Sequence, residues 1–271
     1  MLPHQLEMQS LIEELTIANA LYHTGTPSPL TDEQYDLMRL QLIELEKMYP
    51  YDVLPNTITG KVGHTPTGKT IKHIRAMLSL DNVFSETGLI SFINSLLAKH
   101  PNLTLAIEDK LDGMACSLHY EHGRLQYAVT RGDGIEGEDI TASVHYIENV
   151  PKVIDRQERF EVRGEIVISR ADFEAVNKEL IMNDEKPLKS LRNAAVGAMK
   201  AKDPTMAARR KCQFVAYDVY GLIAPTYTHD VAMMTLDCLG FKTASPLIVE
   251  GQSFVRYDGL KVFSDRLKDQ S

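Results

Sequence analysis

Residues 4–22 place Leu6, Leu11, Ile12, Leu15, Ala18 and Tyr22 near helical spacing, which predicts an amphipathic helix with one apolar stripe. Thr24-Gly25-Thr26-Pro27-Ser28-Pro29 then reads as a loop by its glycine and prolines. Thr31 followed by Gln34 fits a capping box, in which the threonine accepts from the first turn and the glutamine reaches back. The helix it opens turns Tyr35, Met38, Leu42, Leu45 and Met48 inward and stops before Pro50. Residues 50–75, rich in Pro, Gly and Thr, read as a linker with little structure of its own.

From residue 76 the texture changes. A helix is predicted from about Ser85 to Lys99, then short β-like runs at 103–109, 113–120 and 124–131. His122-Gly123 between the last two suits a tight hairpin, since glycine tolerates the positive φ such turns need. Further β runs appear at 160–168 and 213–219, separated by a helix opened by Ser169 and Asp172. Strands clustered apart from helices predict an α+β fold with mostly antiparallel sheets. The expected division is a small helical domain with linker over 1–66 and a larger α+β domain over 67–271.

Composition narrows the class. A hydrophobic share of 44% and a charged share of 24% are those of an ordinary globular protein. No apolar run reaches the ~20 residues of a membrane span, and the amino terminus lacks the basic and apolar regions of a signal peptide. Cys116, Cys212 and Cys238 are scattered and have no Cys-x-x-Cys spacing. Neither a disulfide framework nor a zinc site is expected, and the cytoplasm, a host's if the source is viral, is the expected location. A net charge of −8 argues against the broad basic stripe with which a protein clamps duplex DNA.

Charged clusters supply candidate chemistry. In Leu105-Ala106-Ile107-Glu108-Asp109-Lys110-Leu111-Asp112-Gly113, a lysine stands between two strand-like runs. Lys-x-Asp-Gly in that setting is the pattern of a nucleotidyltransferase, whose lysine amine attacks an α-phosphate; taken alone, four such residues also suit a solvated turn. At a pKa near 10.4 only about one lysine in 2,500 is unprotonated at pH 7, so a nucleophilic lysine needs burial, a neighbouring cation or a metal. A continuing strand would put Lys110 at a sheet edge with Asp112 on the same face, and Gly113 would let the chain turn.

The second cluster, Thr130-Arg131-Gly132-Asp133-Gly134 with Glu138-Asp139, offers glycines for close backbone approach and an arginine for a phosphate or ribose. It reads equally as an acidic surface turn; the ligand spacing of an EF-hand is absent. In the third, Glu161, Arg163 and Glu165 share one face of a strand, which reads either as a site or as a charged solvent side. The fourth, Leu191-Arg192-Asn193-Ala194-Ala195-Val196-Gly197-Ala198-Met199-Lys200, has small residues where close packing or a phosphate would need them.

In order and spacing, from about residue 15 to 245, these segments resemble the NAD⁺-dependent DNA ligases of bacteria and their viruses. The matching stretches are Tyr22-His23, Asp32 through Asp36, Met77 through Asn82, Glu108 through Gly113, Thr130 through Gly134, Glu138-Asp139, Glu161 through Glu165, Arg192 through Ala195, Asp203-Pro204 and Phe214 through Tyr217. The resemblance implies a helical domain recognising nicotinamide mononucleotide (NMN), followed by an adenylation domain. Lys110 would attack NAD⁺, expel NMN and hold AMP as a phosphoramide, with Asp112 orienting the amine or a metal. Glu108 and the Ser79-Leu80 backbone would surround the adenosine, Arg131 and Glu165 would bind ribose or help place Mg²⁺, and Tyr217 would pack near the base. Tyr22, His23, Asp32, Glu33, Gln34, Tyr35 and Asp36 would hold the nicotinamide half.

The chain departs from the family at three positions: Asp109 replaces an apolar residue, Lys200 an arginine and Leu191 a proline. Tyr257-Asp258-Gly259-Leu260-Lys261-Val262 imitates a later lysine motif without a lysine at the required offset. On that reading the closing strands and the OB-fold fall outside the chain. The expected function is adenylation for nick sealing on duplex DNA, with a second protein chain carrying the remaining motifs. The alternatives are a non-catalytic nucleotide-binding or assembly module derived from a ligase, and a piece of one longer polypeptide.

Overall fold

The computed structural model describes residues 2–23, 28–59, 69–80, 82–83, 85–222, 227–244 and 247–250. Helices α1 (Pro3–His23) and α2 (Asp32–Met48) pack on each other through Met8, Leu11, Ile12, Leu15 and Leu42. The capping box forms: Gln34 N–H donates to Thr31 Oγ1 (3.2 Å), and Thr31 N–H donates to Gln34 Oε1 (2.9 Å). The apolar stripe differs at its ends, with Leu6 and Met48 exposed and Met8 fully buried. A helix on only one partner has a narrow buried stripe, so terminal turns escape it.

The reading of 50–75 as structureless is corrected at both ends. Leu54 and Ile58 pack onto the helical pair, Glu46 accepts hydrogen bonds from Thr57 and Thr59, and Asp52 meets His4 at 3.0 Å. Farther on, β1 (Thr70–Lys72) pairs antiparallel with the short β5 (Glu136–Glu138). Proline and glycine content does not reveal such tertiary pairing.

Beyond α3 (Glu86–Lys99), capped by Ser85, β2 (Thr104–Ile107) pairs with the distant β8 (Leu247–Glu250). The central sheet is antiparallel in the order β4-β3-β6-β7, from β3 (Met114–Glu121), β4 (Arg124–Thr130), β6 (Phe160–Val167) and β7 (Gln213–Tyr220). The hairpin between β3 and β4 turns at His122 and Gly123 with φ of 50° and 71°. Ser169 caps α5 (Arg170–Met182) as expected. Helices α4 (Thr141–Val144), α6 (Leu191–Met199), α7 (Met206–Arg209) and α8 (His229–Cys238) have no counterpart in the hydrophobic pattern reading. The fold is α+β.

One face of this sheet carries Cys116, Leu118, Tyr120, Val162, Ile166 and Phe214, fully or almost fully buried under α4, α6 and α8. The register puts Ala115, Ser117, His119, Glu161, Arg163 and Glu165 on the other face. That face is not a solvent side: Ser117, His119, Glu161 and Arg163 are buried. Arg163 Nε donates to Glu161 Oε1 (2.6 Å), and its two terminal nitrogens donate to the Ala76 (3.1 Å) and Arg75 (2.6 Å) carbonyls. The segment 73–77 therefore roofs the polar face.

Candidate active site

A cavity of about 120 Å³ opens at one end of the sheet, lined by residues from five segments. Lys110, Leu111 and Gly113 come from the chain that runs from β2 into Met114 and Ala115 of β3; Thr130 ends β4 and is followed by Arg131 and Gly132; Glu138 belongs to β5; Glu165 projects from β6. The last wall is one face of α6, where Arg192, Val196 and the capping Lys200 stand four residues apart and so line up along the helix. Lys110, Arg131, Arg192 and Lys200 outnumber the carboxylates Glu138 and Glu165 in this small concave space, which suits phosphate oxygens.

Residues 108–113 lie outside any strand, so the expected continuation of β2 through Asp112 does not occur. Lys110 is exposed at the cavity mouth. Asp112 reaches across to Arg192 Nη1 (3.2 Å) and so ties the lysine segment to α6. The chain bends at Gly113, and a Cβ there would also lie 2.1 Å from the Ile166 carbonyl oxygen. Its N–H donates to the Glu165 carboxylate. Asp109, like Lys110, is exposed.

Glu165 is a strongly perturbed carboxyl of the cavity. Burial pushes its pKa up to about 7, against the opposing pull of Arg131 and Lys110. Burial also lowers Arg192 to about 10, which leaves it charged at neutral pH. Arg131 is held by its backbone: its N–H donates to the Ala115 carbonyl (2.9 Å), and its own carbonyl lies 3.0 Å from His73 Nε2. Gly132 beside it has φ 58°, and a Cβ there would meet the Glu136 carbonyl oxygen at 1.9 Å. Lys200 bridges to Glu138 at 2.7 Å across the cavity.

The other expected site residues distribute unevenly. Tyr217 falls at the register shift between β6 and β7, where Arg163 pairs with Asp218 and Gly164 with Ala216. The bulge re-aims its side chain, and burial together with Glu165 raises its pKa. Ser79 and Leu80 are exposed and do not line the cavity. Glu108 also lies outside the lining and is engaged by His229 Nε2 at 2.7 Å. Tyr35 is half-buried on α2; burial raises its pKa, and Arg131 is among the charges opposing this, so the helical unit lies within electrostatic reach of the cavity. Gln34 is used in the capping box, and Asp36 adds to the upward push on Tyr35. The side chains of Tyr22, His23, Asp32 and Glu33, and the whole of 251–271 with Tyr257 through Val262, lie outside the described residues.

Sequence reasoning quoted Arg192, Lys200 and Glu138 without assigning them to the site. The spacing of 192, 196 and 200 was the available signal for the first two. It also missed a local charge asymmetry within the acidic chain: Lys186, Lys189, Arg192, Lys200, Lys202, Arg209, Arg210 and Lys211 oppose the single Asp203. Whole-chain charge concealed that stretch.

A family model of the NAD-dependent DNA ligase adenylation domain matches residues 67–263. The chain belongs to the NAD-dependent DNA ligases. A DNA ligase of Rhizorhabdus wittichii is 35% identical over 92% of this chain and 37% of its own length. Those of a Psychrobacter species (38% identical, 87% of this chain) and Helicobacter pylori strain P12 (37%, 81%) cover 36% and 34% of the relatives. The chain thus spans about a third of the length of the ligases it matches. Among the described residues no helix is long and apolar enough to cross a membrane.

Proposed function

We propose that Lys110 accepts AMP from NAD⁺ in this cavity. The observation that carries the reading is the convergence of Lys110, Arg131, Arg192, Lys200 and Glu165 on one small space from four separate segments. The neutral Lys110 amine attacks the adenylate phosphorus, a P–N bond forms, the P–O bond to NMN breaks as NMN leaves with the electron pair, and the nitrogen loses its surplus proton to water at the open cavity mouth. Arg131, Arg192 and Lys200 offset the charge that builds on the phosphate oxygens. Asp112 holds Arg192 and so keeps the lysine segment against α6.

The donor set fits the dinucleotide. Tyr35, Asp36, Gln34 and their neighbours Tyr22, His23, Asp32 and Glu33 take the nicotinamide half, which the electrostatic proximity of Tyr35 and Arg131 supports. Glu108, Ser79, Leu80 and Tyr217 take the adenosine half, and Arg131 and Glu165 the ribose. Among the described residues no group of three or more His, Cys, Asp or Glu is arranged to hold a metal ion. Mg²⁺ characteristically binds through one or two carboxylates plus substrate phosphates, so Glu165 beside the phosphates fits it. When bound it would screen the phosphate charge.

Nicked duplex DNA is the proposed final substrate, sealed with the further domains of the relatives supplied on the same or a second chain. The exposed lysines and arginines between 186 and 211 support a phosphate-facing surface there. Intact-mass measurement after incubation with Mg²⁺ and NAD⁺ tests the reading. A gain of one AMP from NAD⁺ and none from ATP is expected, alone or with a partner chain. NAD⁺ binding without any gain would favour the non-catalytic module.

A further inference from the structure

The lysine segment carries a contact that the adenylation chemistry does not by itself require. Glu108, the first residue after β2, has one carboxylate oxygen 2.7 Å from His229 Nε2, across 121 positions of sequence. An ionised carboxylate only accepts, so Nε2 carries the proton and donates. His229 is the first residue of α8, a helix pinned to the main core by Ala232, Met233 and Leu236, with β7 beneath it. Its backbone is therefore fixed, whereas Glu108 sits on chain that has left its strand. Both side chains stay partly open, at 34% and 22% exposure, so the pair is not a core ion pair withdrawn from ligands.

From this geometry we infer that His229 is a positioning residue for the adenosine half of the site: it immobilises Glu108 through Oε1 and leaves Oε2 to accept from the nucleoside. The inference rests on the proposed reading of Lys110 as AMP acceptor and of Glu108 as a ligand of the adenosine half. Fixing a carboxylate before the ligand arrives removes the entropy of ordering it on binding, so the benefit appears in ground-state affinity rather than at the reacting phosphorus. The nucleoside subsite consequently extends out of the cavity, along residues 108–110 towards the first turn of α8.

The test is single-turnover adenylylation of the full chain at varied NAD⁺, with its partner chain if the wild type needs one. His229→Ala should raise the NAD⁺ concentration for half-maximal transfer about tenfold, the worth of one hydrogen bond to a charged group, and leave the maximal rate within about twofold. His229→Gln, whose amide can still donate, should recover most of the affinity. Unchanged affinity in His229→Ala, a loss confined to the maximal rate, or a glutamine variant as weak as the alanine one overturns the inference. Thermal melts of both variants identify any misfolded one, and the glutamine variant then decides. If the wild type transfers no AMP, the reading of Lys110 falls instead; if it does and His229→Ala matches it, only the inference falls.

Discussion

The two faces of the central sheet are built from the same strands and reach opposite ends. On one face Leu118, Tyr120, Val162 and Ile166 close an apolar core; on the other Ser117, His119, Glu161 and Arg163 are as deeply buried but polar. Burial without hydrogen bonds would cost several kcal/mol per group, so the polar face persists only because each group is answered. Arg163 is answered by Glu161 and two backbone carbonyls, His119 by Ser117 at 3.0 Å and by stacking on Tyr127. Where this face runs on to Glu165, the packing loosens into the cavity. The apolar face closes the core, and the proposed chemistry sits where the polar face opens.

The contrast breaks most sharply at Lys110. Lys110→Ala should abolish AMP transfer, read by intact mass, while its denaturant midpoint stays within about ±0.5 kcal/mol of wild type, because the side chain is exposed. Arg163→Met should do the reverse in stability, costing about 3–5 kcal/mol in urea unfolding, since it strands the buried Glu161 carboxylate. One strand position over from the polar row, Ile166→Val on the apolar face should cost only about 0.5–1.5 kcal/mol.

The pH dependence also comes from the polar face, whose groups contribute it with opposite signs. Glu165, raised to about 7, binds its proton more tightly folded than unfolded; its contribution to stability is present below the ordinary carboxylate range and lost as pH rises through about 7. The AMP-transfer rate should rise over the same window, as the carboxylate forms, and Glu165→Gln should flatten both curves. His119 is lowered to about 4 by burial and then by the positive charges of His73, Arg159 and Arg163. Unfolded His119 takes up a proton near 6.5 that the folded form refuses, so stability should fall as pH drops from about 6.5 to 4. His119→Asn should remove that slope in denaturant melts.

Much of this was legible in the chain itself because it is local. The Thr31 cap, the Ser169 cap and the His122-Gly123 hairpin depend on residues a few positions apart. The Lys110 cluster was visible for the same reason. The buried state of Glu161 and Arg163 was not, because alternation reports which residues share a face and not what covers it. The cover is 73–77, which straddles the end of the stretch 50–75 whose prolines and glycines suggested a linker with little structure of its own. Gly113 was visible as a place where the chain bends, but the Ile166 carbonyl that also excludes a Cβ lies on another strand and gave no signal. His229 gave no signal at all, because its partner lies 121 residues away.

The most direct test of the account locates the modified residue. Incubation with NAD⁺ and Mg²⁺, then proteolysis at neutral pH to keep the acid-labile phosphoramide, and peptide mapping should put a single AMP on Lys110. AMP mapped to another residue, or transfer that survives in Lys110→Ala, would contradict it.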